Sequence, residues 1–316
     1  MELIHNKTRF DFVCTRSQIL AFSFSGLLTL LSLLSLWVQG LNLGIDFSGG
    51  TLVQLRFAKP PHLDQVRTAL SHLSLGDVSI QEFGSPEEIL IRVGKQSSGS
   101  DAQSALAAKM VEILKPVASE GKVELRRVEF VGPQVGSELV VSGLWAVFYS
   151  LLAILLFVAW RFEWRFAYGA ILSLIHDVII TMGLFSFTQK EFTLVVLAAV
   201  LTIIGYSIND TIVVFDRVRE ERIRSKKQPM GVVINRAIND TLSRTIIVSL
   251  TVVLVLIALL LFGGLVIHDF ALALFVGVVL GTYSSIFVAC QIVLLLDKKE
   301  PVAPEQPTPA PSVEIS

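Results

Sequence analysis

FTLVVLAAVLTIIGYSINDTIVVFDRVR, residues 192–219, is an apolar run that takes up Asn209 and Asp210 before it ends in charge. At about 1.5 Å per residue, the part from Phe192 to Asp210 is long enough to cross a bilayer core of roughly 30 Å, so the carboxylate falls inside a membrane span. Arg217, the first cation beyond it, lies about 10 Å further along a helix. An acid at the centre of a membrane helix costs on the order of 3 kcal/mol and normally faces a partner or a polar cavity. Tyr206, Ser207 and Asn209 stand within one turn of Asp210, which makes a polar patch able to relay protons. Two blander readings stand beside this one: an acid at headgroup level, or a hydrogen bond that holds two helices together.

The rest of the chain agrees with a membrane setting. Of its 316 residues 53% are hydrophobic and 17% charged, and the mean hydropathy of +0.67 is outside the range of soluble globular proteins. Six apolar runs are long enough to span: Ile19 to Val38, Leu139 to Trp160, Phe166 to Phe187, Phe192 to Phe215, Thr245 to Ile267, and Phe270 to Leu296. The first has no small-residue cleavage signature after it and reads as a retained helix. Arg161 and Arg165 flank the second connection, and Arg217, Arg219, Arg222, Arg224, Lys226, Lys227 and Arg236 crowd the fourth. The third connection has only Lys190, and the fifth, GGLVIHD, has no Lys or Arg. The positive-inside rule then places both termini in the cytoplasm and the long first connection outside.

That topology accounts for the clustered cations, so the net charge of -1 gives no reason to expect a nucleic-acid partner. Cys14 and Cys290 are separated by most of a bilayer and cannot pair. No spacing suggests a metal site, a cofactor or enzymatic chemistry.

The organisation read from the chain is a cytoplasmic segment over 1–17, a first helix over 18–38, an extracytoplasmic domain over 39–136, and a five-helix region over 137–296 with a cytoplasmic loop at 216–243. A Pro-rich tail over 297–316 reads as disordered. In the outer domain, strand patterns at Thr51 to Phe57, Val78 to Phe83, Ile89 to Val93 and Val123 to Phe130 alternate with helix patterns at Leu63 to Leu73 and Ala102 to Val117. The order β-α-β-β-α-β predicts a small ferredoxin-like α+β domain, which by itself implies only binding or docking. His5, His62 and His72 read as surface residues. In LGIDFSGG, residues 43–50, Gly44, Gly49 and Gly50 bracket Asp46; the favoured reading is that Asp46 caps a turn, with a direct role in transport as the alternative.

Other polar residues lie in or near the spans. His176 and Asp177, near the middle of the third, either pass a proton or lock two helices. The fourth connection breaks at Pro229 and continues as an amphipathic helix, with Val232, Val233, Ala237 and Ile238 on one side, expected to lie along the membrane. Arg244 enters the fifth span; it either snorkels to the cytoplasmic interface or, at a depth similar to that of Asp210 in the antiparallel fourth span, serves as its natural counter-ion. The sixth span carries Ala273, Gly277, Gly281, Ser285 and Ala289 at four-residue spacing, a stripe for close helix packing.

Four long motifs, LGIDFSGGTLVQL after the first span, GYSINDTIVVFDRVRE in the fourth, SRTIIVSLT entering the fifth and FALALFVGVVLGTYSSIFVA in the sixth, resemble the SecF family of bacterial protein export, within the resistance-nodulation-division superfamily. The resemblance runs from the first span to the last and leaves out the tail. It implies a multi-pass subunit of the bacterial inner membrane, completed by SecD and associated with the SecYEG channel. Proton flow would then promote late stages of preprotein export. Asp210 matches the intramembrane acid, Arg244 the basic residue facing it, and Asp46 the acid of the DFSGG motif. A proton-driven exporter of small amphipathic molecules and a purely structural translocon subunit are the competing readings; the first needs a ligand cavity.

Overall fold

The computed structural model describes residues 10–71, 73, 78–94, 100–118, 122–225 and 228–297. Residues 1–9 of the expected cytoplasmic segment, His72, Lys226, Lys227 and the tail from 298 onward lie outside them. The first helix, α1 (Thr15–Val38), leads into a short turn of helix, α2 (Ile45–Ser48), and then into the α+β domain: β1 (Gly50–Phe57), α3 (Leu63–Ser71), β2 (Val78–Phe83), β3 (Ser85–Val93), α4 (Ser100–Leu114) and β4 (Val123–Val131). Helices α5 (Pro133–Arg161), α6 (Trp164–Thr188), α7 (Leu194–Arg224), α8 (Met230–Phe262) and α9 (Leu265–Ser284) follow. A π-helical segment (Ser285–Ala289) then leads to α10 (Cys290–Leu296). Among the described residues, six helical stretches are long and apolar enough to cross a membrane.

The sheet is fully antiparallel with order β2-β3-β1-β4, the topology the alternating patterns predict. One face buries Val53, Leu55, Phe57, Ile89 and Ile91 against Val66 and Leu70 of α3 and Met110 and Leu114 of α4. Strand β3 begins at Ser85 rather than Ile89 because the glycine at 84, with φ of 81°, turns β2 directly into it and Pro86 sits at the strand's start, where a missing N–H is tolerated.

Two stretches of the bundle differ from expectation. The region 216–243 is not a loop: α7 continues to Arg224 and α8 starts at Met230. The segment expected along the membrane is instead the first part of one 33-residue helix. Pro229 precedes its first residue, and no proline or glycine interrupts it from Val232 to Phe262. Val233, Ile234, Ala237 and Ile238 are buried in the bundle core, and Arg217 bonds Asp240 at 2.6 Å, tying the ends of α7 and α8 together. The fifth span ends at Phe262 instead of Ile267 because Gly263 and Gly264, the latter at φ of 70°, turn the chain into α9.

Burial is uneven among the spans. Half or more of the most apolar window of α6, of α7 and of the last span is buried, but only 6% of that of α5 and 17% of that of α8. The interior helices are therefore α6, α7 and α9, whereas α5 and α8 present their sides outward.

Candidate functional site

Small residues set how closely the interior helices approach. A Cβ on Gly277 of α9 would overlap Ile203 of α7, and one on Gly281 would lie 2.9 Å from Ser207 Cβ. The stripe thus packs against α7 at Gly277 and Gly281, as small-residue faces do in membranes, and at Ala289 it meets Gly169 of α6. This approach brings polar groups from three helices together. Asp177 of α6 is wholly buried; its Oδ2 accepts hydrogen bonds from Ser207 Oγ of α7 and Ser284 Oγ of α9, both at 2.7 Å. Its Oδ1 lies 3.0 Å from His176 Nδ1. His176 is buried as well, and its Nε2 has no hydrogen-bond partner among the described residues.

One turn along α7 lies the second carboxylate. Asp210 is only 3% exposed, and its Oδ2 accepts a long hydrogen bond, 3.4 Å, from Ser249 Oγ of α8. Ser249 in turn meets Thr282 Oγ1 of α9 at 2.7 Å. The interior therefore holds two acid clusters, both within reach of α9, with Ser207 belonging to the first and standing three residues from Asp210, the spacing that puts side chains on one helical face.

Asp210 and Arg244 form no direct ion pair among the described residues and Arg244 is exposed, but its charge still acts on Asp210. The lack of a direct contact is rotational. Thr245 and Ser249, four residues apart, form the buried face of α8, and Arg244 sits one residue, about 100°, away from that face. Asn209 is likewise exposed, and Tyr206 is partly buried. Ser207, Ser284 and Ser249 are the acids' hydroxyl partners, and Thr282 reaches Asp210 only through Ser249. Ser249 lies five residues beyond Arg244, and Ser284 adjoins the small-residue stripe without belonging to it.

The glycine motif occupies the junction between domain and bundle. Gly49 and Gly50 have φ of 69° and 131°, which lets the chain fold back from α2 into β1. The preceding strand-like segment pairs with the chain entering α7: Gly44 N–H bonds Phe192 O at 2.9 Å, and Phe192 N–H bonds Asn42 O at 2.8 Å. Asp46 Oδ2 then accepts the backbone N–H of Leu194, the first residue of α7, at 2.9 Å. Arg92 of β3 bonds Leu43 O and Ser48 Oγ, linking the sheet to the same junction. Among the described residues no group of three His, Cys, Asp or Glu side chains could hold a metal ion.

This arrangement has relatives. Residues 109–299 match the family model described as protein export membrane protein SecD/SecF, C-terminal, and residues 34–61 match the SecD/SecF GG motif. A protein translocase subunit SecF from Magnetococcus marinus is 56% identical over 94% of this chain and 95% of its own length. The chain belongs to the SecF family. Other SecF proteins, from Vibrio alginolyticus and Rickettsia prowazekii, are 46% and 40% identical over 90% and 95% of this chain. Two crystal structures of SecDF also match. A Thermus SecDF, described as a translocon-associated membrane protein, superposes with a TM-score of 0.82 at 36% identity. A SecDF in a super-membrane-facing form superposes with 0.68 at 37%. In each case 94% of this chain is covered but only 39% of the longer SecDF chain. This SecF-family chain is thus a protein translocase subunit, a membrane component of protein export.

Proposed function

We propose that this chain acts with SecD beside the SecYEG channel in the bacterial inner membrane, both termini cytoplasmic, and converts proton flow into movement of the outer domain, which favours release of the preprotein on the far side. On this reading it is no enzyme, and its division follows the boundaries 1–17, 18–38, 39–136, 137–296 and 297–316. The observation that carries it is the placement of Asp210: an acid 3% exposed within a span, held among the described residues by a single long hydrogen bond, where a purely structural carboxylate would be fully satisfied as Asp177 is.

The exposed side of α7 supports a helical partner. Thr202, Gly205 and Asn209 lie on one exposed face, and a Cβ at Gly205 would meet open space. Small and polar residues at mid-span suit a packed helix better than lipid, and SecD is the family's expected occupant. A shift of α8 that turned Arg244 toward Asp210 would change the proton affinity of the acid. A charge moving through 100 mV supplies about 2.3 kcal/mol, enough to select between helix packings that differ by a few kcal/mol. Asp46 joins α7 to the outer domain, so a displacement of α7 is felt at the sheet through the Asn42 to Ser48 segment and Arg92.

A second reading has its own observation. The complete hydrogen bonding of Asp177 fits a lock between α6, α7 and α9, so we assign His176 and Asp177 to packing first and to proton transfer second. The exporter of small amphipathic molecules has less support, because the clefts of about 510 and 370 Å³ among the described residues open at the surface rather than inside the bundle. Export by vesicles containing SecYEG and SecD, with and without this chain and with and without a proton gradient, tests the reading. Stimulation that requires both chain and gradient is expected; stimulation that ignores the gradient supports a structural subunit.

A further inference from the structure

At the end of the bundle away from the α+β domain, a cleft of about 510 Å³ opens between the α5–α6 turn and the end of α7, lined by Arg161, Phe162, Glu163, Arg219, Arg222 and Ile223 among others. We propose that this cleft binds the phosphate of an anionic phospholipid. It is independent of the acid clusters above, and the argument rests on charge, depth and lining.

Three guanidiniums line it with one carboxylate, Glu163, and a second carboxylate, Asp216, pairs Arg161 from outside the lining. Arg161 lies over the Phe162 ring at 4.9 Å and bonds Asp216 at 2.8 Å. Arg222 bonds both oxygens of Glu163, at 2.9 and 3.0 Å. Arg219 is exposed and makes no ion pair or hydrogen bond among the described residues. Counting Asp216, the cleft therefore carries a net charge of +1, with one guanidinium unengaged and two held in place. Arginine is the side chain whose planar donors match phosphate oxygens in pairs, and the charge equals what one phosphodiester neutralises.

Depth points to lipid as the source of that phosphate. Trp160, Trp164 and Tyr168, at 85%, 56% and 55% exposure, flank the same turn and mark headgroup level. Phe162 and the exposed Ile223 give the cleft apolar walls, and the outward side of α5, with Leu156 and Phe157 exposed, runs from it toward mid-span as a track for acyl chains. A soluble phosphate would use none of this apolar surface, whereas a lipid uses both parts. Basic pockets between helices at this level are a recurrent way to hold anionic headgroups.

Native mass spectrometry of the full chain, purified in mild detergent and supplied with phosphatidylglycerol or phosphatidylcholine, tests the proposal. Arg219→Gln breaks no ion pair and should leave the fold intact, which a thermal melt checks. Retention of phosphatidylglycerol over phosphatidylcholine is expected, and the variant should lose about fivefold in apparent affinity for the anionic lipid. Arg16→Gln, which removes a cation from the start of α1, should leave retention unchanged. Equal retention of the two lipids, or equal loss in the Arg16 and Arg219 variants, would overturn the cleft as a site. Stabilisation by inorganic phosphate alone, with displacement of the lipid, would overturn the lipid as its ligand.

Discussion

The carboxylate of Asp46 accepts the first backbone N–H of α7, that of Leu194, at 2.9 Å across 148 residues of sequence. An acceptor at a helix start satisfies a donor the helix itself leaves unpaired and complements the positive end of its dipole. Asp46→Ala should therefore speed hydrogen exchange at the first turn of α7 and destabilise that turn by about 1 kcal/mol, with Asp46→Asn retaining most of the protection because its amide oxygen accepts the same N–H. Exchange unchanged in the alanine variant would remove the cap.

The contact between Gly277 and Ile203 sets the spacing of α7 and α9. Gly277→Leu forces a side chain into Ile203 and should cost about 1–3 kcal/mol, read as a lower melting temperature of the chain in detergent. Ile203→Ala in the same chain should restore part of the loss. An unaffected melt would mean that the helices separate freely there.

Asp177 collects three partners from three helices. Removing its carboxylate leaves the buried Ser207 hydroxyl without its acceptor, at about 1–3 kcal/mol, while Ser284 keeps a weaker one in Gly281 O at 3.3 Å. Asp177→Ala should melt well below Ser207→Ala or Ser284→Ala, and the serine pair should be non-additive in a double-mutant cycle because they share one oxygen. Additive serine effects would show that the two contacts are independent.

Orientation is open to direct labelling. The Asp64 side chain is 96% exposed on α3, so Asp64→Cys should react with an impermeant maleimide added outside intact cells. Cys14, partly exposed and with hydrogen bonds from Ser17 holding its thiol below the ordinary cysteine range, should react only after permeabilisation, and Cys290 is buried. The reverse pattern would invert the topology.

The spans and the outer domain were readable because each rests on a local signal: uninterrupted apolar length for the helices, and period-two alternation between turn residues for β1 to β4. The continuation of α7 and α8 through the charged connection was not, since it depends on pairing across helices, as between Arg217 and Asp240. Solvated and cross-linked charges look alike in one dimension. The same limit applies to Arg244, whose charge acts on Asp210 without a direct ion pair among the described residues. Depth along a helix follows from counting residues, but a one-residue rotation decides whether a side chain faces Asp210 or the outside. Ser284 and Thr282 became visible as partners only once the glycine stripe had fixed which face of α9 meets α7.

Asp210 as the proton-carrying group is tested most directly by gradient-stimulated preprotein export from membranes that carry Asp210→Asn at an abundance equal to the parent chain. The amide keeps the size and can still accept the Ser249 hydrogen bond, but it does not titrate in the relevant range. Loss of the gradient-dependent part of export, with partial recovery in Asp210→Glu, is the expected result. Full stimulation in the asparagine variant would contradict it and leave Asp210 a packing residue.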